Sequence, residues 1–158
     1  MPSPRSVADL MRPVETCPAV STDDTLETAV AVLRAAGARG EPAVLVLTPD
    51  RRPAGILTLD GILHAFEPDF VETTGWRLPV VWSGFFGDKC REGARRRVAD
   101  VMRALDSVPA VDPGDPLPKA VHLMRATGLP LLPVARGERI IGMLRINDML
   151  AAIEQAIS

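Results

Sequence analysis

The sequence predicts an α+β protein made of one small helix-and-strand unit used twice, its two copies packed against each other. Three observations carry that prediction. Residues 7–12 read V-A-D-L-M-R and residues 98–103 read V-A-D-V-M-R. The match continues in order: Ala19-Val20 returns as Ala110-Val111, Asp24 as Asp115, Leu26 as Leu117, Ala29-Val30 as Ala120-Val121 and Gly37 as Gly128. Gly55-Ile56-Leu57 then returns as Gly142-Met143-Leu144 after a loss of four residues. Ordered matches of this kind across about 50 residues mark a tandem duplication. Each copy is also only about 60 residues long, too small to bury much of its own surface, so two copies have reason to share a core. Finally, both copies mix apolar stripes at helical spacing with short continuous apolar runs, the pattern of helices laid on a buried sheet.

In the first copy, apolar residues at Val7, Leu10 and Met11 suggest a short helix that Pro13 ends. An apolar strand fits residues 18–20. Asp24 followed by Glu27 has the spacing of a capping box, with both acids where free N–H groups and the helix dipole favour them. Leu26, Ala29, Val30 and Leu33 make the stripe of a helix that stops at Gly37. The continuous run over residues 43–47 reads as a buried strand. Thr48-Pro49-Asp50 supplies turn chemistry before a second strand over residues 54–58, and residues 60–66 read as a closing helix.

The second copy repeats the order. Asp115 is placed to cap a helix beginning at Pro116, with Leu117, Ala120, Val121 and Met124 as its stripe and Gly128 as its end. Strands are expected over residues 131–135 and 140–144, and Asn147 or Asp148 is expected to cap a final helix through Met149, Leu150, Ile153 and Ile157. Each unit then carries a three-stranded sheet with helices on one face and leaves its other face for the sister unit.

Composition narrows the function classes. With 47% hydrophobic and 24% charged residues this is an ordinary soluble composition. A net charge of -2 offers no basic face for nucleic acid. No run approaches the ~20 apolar residues of a membrane span, and residues 1–6 lack an apolar signal core, so no membrane association and a cytoplasmic location are expected. Cys17 and Cys90 stand in no metal-binding or disulfide spacing. His64 and His122 lie alone on helices, and no nucleophile and base are paired, so no enzyme is expected. Met11, Met102, Met124, Met143 and Met149 fall on apolar positions and read as core filler.

Two β-α-β-β-α units, each led by V-A-D-h-M-R (h for an apolar residue) and closed by an apolar strand, a Gly and a helix, resemble a tandem cystathionine β-synthase (CBS) domain pair. The resemblance covers residues 7–66 and 98–157 and implies a stand-alone Bateman module: two CBS repeats related by a pseudo-twofold axis. It divides the chain into a first repeat (1–66), a connecting insert (67–96) and a second repeat (97–158). The resemblance further implies a non-catalytic regulatory module, commonly homodimeric, that binds AMP, ADP, ATP or S-adenosylmethionine between its repeats. No cofactor is expected. An unidentified client protein would receive the signal.

The family's nucleotide pattern is Gly, then Ser or Thr three residues on, then Asp six residues on. The hydroxyl and nearby helix N–H groups suit phosphate, and the carboxylate accepts both ribose hydroxyls. The first copy has Gly55 and Thr58 but Gly61 at the carboxylate position, with Asp60 one residue early and about 100° around the helix. The second has Gly142 and Asp148 but Arg145 at the hydroxyl position. Thr58, Asp60, Arg145 and Asp148 are therefore the candidate ligand residues. Thr58 also fits a helix start, Asp148 a cap, and Arg145 either a solvated strand end or a phosphate fork. With the only correctly spaced carboxylate, the second cleft is the expected nucleotide site. Decay of both clefts into a ligand-free interaction module is the alternative.

The insert carries the chain's aromatic residues: Phe66 at its edge, then Phe70, Trp76, Trp82, Phe85 and Phe86. So apolar a segment is expected to pack on the module, on a dimer mate or on a client. Its end, with Lys89, Arg91, Arg95, Arg96 and Arg97, reads as a solvated face, although that setting also suits a lowered thiol pKa at Cys90. The helices around Ile62, Leu63 and Phe66 and around Met149, Leu150 and Ile153 carry apolar stripes, and the resemblance implies that such helices pair two modules, so a homodimer is expected.

Overall fold

A computed structural model describes residues 4–67 and 82–158, with the side chains of Trp82 and Ser83 left aside. The elements in order are α1 (Val7–Leu10), β1 (Arg12–Pro13), β2 (Ala19–Ser21), α2 (Leu26–Ala38), β3 (Ala43–Leu47), β4 (Pro53–Thr58), α3 (Leu59–Phe66), α4 (Trp82–Ala94), β5 (Arg103–Ala104), α5 (Leu117–Thr127), β6 (Leu131–Arg136), β7 (Arg139–Arg145) and α6 (Ile146–Ile157). The repeated α+β architecture is the one the duplication predicts.

The two leader segments are exchanged between repeats. β1 runs antiparallel to β7 in a sheet ordered β1-β7-β6, while β5 runs antiparallel to β4 in a sheet ordered β2-β3-β4-β5. The expected three-stranded sheets are thus completed from outside: each takes a strand from the other copy's leader. In the second repeat the counterpart of β2 shrinks to a single parallel bridge, Val111 to Val134.

The repeated V-A-D-h-M-R residues explain the exchange. Val7 N–H donates to Asp115 O at 3.0 Å, and Val98 N–H donates to Asp24 O at 2.8 Å, so each leader docks at the start of the other repeat's first long helix. Both valines are fully buried, a contribution of about 1.5–3 kcal/mol each. The leader backbone then crosses the glycine of the opposite strand. A Cβ on Gly142 would stand 2.5 Å from Arg12 O, and one on Gly55 2.5 Å from Met102 Sδ and 2.9 Å from Arg103 O. Glycine at both positions is what lets the exchanged strand lie so close. The leader itself is less helical than its spacing suggests: α1 is one turn, and its second copy is a 3-10 turn over Val98–Asp100.

β3 is buried along its whole length, as its continuous apolar run predicts. Val44 and Val46 face Leu26, Ala29 and Leu33 of α2, whereas Ala43, Leu45 and Leu47 join Ile56, Leu132 and Met143 in a core shared by both repeats. That shared layer is where two marginal units become one stable body.

The helix caps differ from expectation in an instructive way. Thr25, not Asp24, caps α2, its Oγ1 accepting from Thr28 N. Asp24 is used instead to close the preceding turn, accepting from Ser21 N at 2.8 Å. Asp115 does the same from Asp112 N at 2.9 Å, leaving Pro116 as the cap residue of α5. That N–H, then Lys119 at 2.9 Å, holds the Asp115 carboxyl below its usual range. Neither Asn147 nor Asp148 caps α6, for reasons that belong to the site. Gly128 does end its helix in the left-handed conformation, with φ of 70°.

The described part of the insert packs on the first repeat. α4 lies against α2 and α3, with buried Gly93 beneath the Phe66 ring: an added Cβ would be 2.5 Å from Phe66 Cε1. Phe86 is exposed, and Arg95, Arg96 and Arg97 are solvated as expected. Phe70, Trp76 and the apolar run from Leu78 lie outside the described residues, as does the Trp82 side chain. Replacing Gly93 by Ala is expected to push the ring or α4 aside and to destabilise by ~1–3 kcal/mol, the range for overpacking. Chemical denaturation checks this; an unchanged midpoint would mean that α4 is not seated on Phe66. No described helix is long and apolar enough to cross a membrane.

Candidate functional site

The exchange of leaders creates two clefts between the repeats, one beside each glycine motif. The first is open, with a volume of about 830 Å³. One wall is the β4–α3 junction with Thr58, Asp60 and Gly61; the opposite wall is Thr127 to Pro130 of the second repeat, and Arg103 stands at the side. Thr58 Oγ1 accepts from Gly61 N at 3.0 Å, so this hydroxyl caps α3. Gly61 leaves room: a Cβ there would meet only Thr58 Oγ1 at 3.4 Å and Val101 O at 3.9 Å. Asp60 is exposed on the cleft wall. Arg103 makes one long hydrogen bond, to Thr127 O at 3.5 Å, and has no carboxylate partner among the described residues. The cleft therefore offers a cation, a capped helix start and apolar surface from Ile56, Leu129 and Pro130.

The second cleft is built from the equivalent residues and is largely filled. Arg145 ends β7 and turns its guanidinium into the space between repeats, where it is 8% exposed. Nε and Nη2 donate to the two oxygens of Asp148 at 2.9 Å each, and Nη1 donates to Glu41 of the first repeat at 2.7 Å. Arg12 adds a contact to Asp148 at 3.5 Å. Hydrogen bonding to Asp148 does most to raise the Arg145 pKa above its ordinary value; burial opposes it, and Glu41 adds to the rise. Asn147 Nδ2 donates to Gly40 O at 2.7 Å, fastening the same side again. What stays open is a recess of about 300 Å³ lined by Leu10, Met11, Arg12, Asp148 and Ala151.

The structure thus brings Thr58 and Asp60 together on one cleft and Arg145 and Asp148 together on the other. In the second pair, arginine and aspartate hold each other. That is why Asp148 does not cap α6: its oxygens are taken by a bidentate fork, the strongest use available to them. Sequence reasoning did not single out Glu41, Arg12 or Arg103 as cleft residues. The signal was present for two of them, because Arg12 and Arg103 are the same position of the duplicated leader. Glu41 follows α2 in a loop with no counterpart in the sequence match, so nothing local marks it.

Other chemistry is sparse. Among the described residues no cluster of His, Cys, Asp and Glu is arranged to hold a metal ion. Cys17 and Cys90 are free and half-buried, and burial, then the Glu41 carboxylate, pushes the Cys17 thiol up. His64 is exposed beside Glu67 at 3.8 Å.

The family model described as CBS domain matches residues 7–68 and 98–155. A CBS domain-containing protein of Bacillus anthracis superposes with a TM-score of 0.68 at 20% identity, covering 97% of this chain and 95% of that one. CBSX2, solved in complex with AMP, gives 0.66 at 17% identity over 98% and 100% of the two chains. The CBS-domain protein ATU1752 of Agrobacterium tumefaciens gives 0.65 at 18% identity over 94% and 93%. At these identities the likeness is one of fold. No curated protein matches the sequence.

Proposed function

The chain belongs to the CBS domain family, whose domains are regulatory modules, and from that premise we propose that it senses an adenine nucleotide in its first cleft. The carrying observation is the contrast between the clefts. Arg103 borders an open space and makes no ion pair with a carboxylate among the described residues, whereas its counterpart Arg12 contacts Asp148. A cation beside a helix start suits phosphate, and Ile56, Leu129 and Pro130 suit an adenine ring. Gly61 supplies no carboxylate for the ribose, and among the described lining residues Asp60 is the acid. The AMP held by CBSX2 supports the ligand class.

A thermal-shift series with AMP, ADP, ATP and S-adenosylmethionine tests the proposal. A ligand at 100 times its Kd adds ~2.7 kcal/mol, or roughly 5–10 °C at ~2–4 °C per kcal/mol for a chain of this size. Replacing Arg103 by Ala is expected to weaken AMP by ~1.5–3 kcal/mol, the range for a hydrogen bond to a charged group. Adenosine, which cannot use that charge, is expected to bind Arg103→Ala and parent equally. Equal losses for both ligands would remove Arg103 from the phosphate site.

A second reading, an interaction module for a client protein, is favoured by the exposed Leu59 and Leu63 on α3 and Leu150, Ile153 and Ile157 on α6. The same faces suit pairing of two chains. Light scattering is expected to find a particle of twice the 17.0 kDa chain mass; a monomer at tens of micromolar would count against the pairing and leave these faces for a client.

A further inference from the structure

The geometry points to Arg145 as a built-in occupant of the second cleft, so that the chain takes one nucleotide where two glycine motifs suggest two. This inference rests on the nucleotide reading above and deepens it. The two clefts are related position by position: Gly55, Thr58, Gly61 and Arg103 of the first correspond to Gly142, Arg145, Asp148 and Arg12 of the second. The first cleft is lined on its other side by Thr127 to Pro130, the end of α5 and the segment after it. The recess left in the second is lined by none of the corresponding segment after α2, where Glu41 accepts from Arg145 and Gly40 O accepts from Asn147. The open volume falls accordingly, from about 830 Å³ to about 300 Å³.

The occupant is well matched to the groups around it. A guanidinium presents planar donors to two carboxylates, and here three of them are used at 2.7–2.9 Å. Asp148, the one acid at the ribose-binding spacing, has each oxygen engaged by Arg145. A nucleotide entering this cleft has to break that fork and expose Glu41, a second negative charge, to its own phosphate. Like charges in a partly buried site repel strongly. The same bonds tie Arg145 of one repeat to Glu41 of the other, so the second side of the module is a fixed seam and only the first side is free to respond to a ligand.

Substitution at a single position restores the family pattern. Arg145→Thr places a hydroxyl between Gly142 and Asp148 and withdraws the side chain that fills the space. Because it leaves Glu41 without its partner, Arg145→Thr/Glu41→Gln is the companion variant that removes the stranded charge. The test is a calorimetric titration with AMP of the parent, of both variants and of Gly61→Asp, each checked for cooperative melting. The expected result is one AMP per chain for the parent and for Gly61→Asp, with at least tenfold tighter binding in the latter, and two per chain for Arg145→Thr/Glu41→Gln. Two per chain in the parent would overturn the inference without reference to any variant. One per chain in the folded double variant would equally overturn it, since removal of the arginine would not have opened a site. No binding to the parent but one AMP in the double variant would uphold the occupant and overturn the first-cleft reading. No binding to any of the four would overturn both.

Discussion

Replacing Arg145 by Ala is expected to cost about 3–5 kcal/mol, the range for breaking a buried ion pair from one side. Desolvation sets the cost. Arg145, Glu41 and Asp148 have side chains only 10%, 16% and 23% exposed, so water cannot replace the lost partner cheaply. Arg12 remains to serve Asp148, at the longer distance of 3.5 Å, but Glu41 is left with no cation among the described residues. Neutralising Glu41 in the same chain should therefore recover part of the loss, because an absent pair costs less than a broken one. Urea denaturation of the parent, the two single variants and the double variant measures this. If the single and double variants lose stability additively, Arg145 and Glu41 are not coupled and the seam between repeats lies elsewhere.

Gly142→Ala is the second large effect, expected at about 3 kcal/mol, the top of the overpacking range. The added methyl group would fall 2.5 Å from Arg12 O, a backbone atom of the exchanged strand, and no rotamer change can relieve that. At Gly55 the nearest obstacle is Met102 Sδ, the adaptable part of a flexible side chain, with Arg103 O behind it at 2.9 Å. Gly55→Ala is accordingly expected to cost less. Equal and small effects at both positions, measured by thermal melting, would mean that the leader strands are not held as described.

These two sites also mark where the sequence was legible. The duplication located both leaders, both glycine motifs and the order of the long elements within the two repeats, but not α4 of the insert. The continuous run over Ala43–Leu47 and the α2 stripe of Leu26, Ala29 and Leu33 placed core residues correctly, whereas the later stripes also take in the exposed Val121, Leu150, Ile153 and Ile157, because apolar periodicity marks a face and not what covers it. The exchange of leaders was not legible, since Val7 and Val98 are equally apolar whichever repeat receives them. The caps failed for a related reason: Asp24 and Asp115 are good acceptors, and a local pattern cannot say whether the turn or the helix claims them. The site was read in the same partial way. Thr58, Asp60, Arg145 and Asp148 all line the clefts or the seam, yet the pairing of Arg145 with Glu41 spans 104 residues and leaves no local trace. An arginine in place of the hydroxyl suits a solvated strand end or a phosphate fork; in the folded chain it is buried and bonded to Asp148 and Glu41.

A crystal structure of the chain grown with AMP would distinguish one open cleft from two. Nucleotide is expected in the cleft of Thr58 and Gly61, its phosphate on Arg103, with the Arg145–Asp148–Glu41 bonds intact on the other side. Nucleotide seated against Asp148, with Arg145 swung away from Glu41, would contradict it.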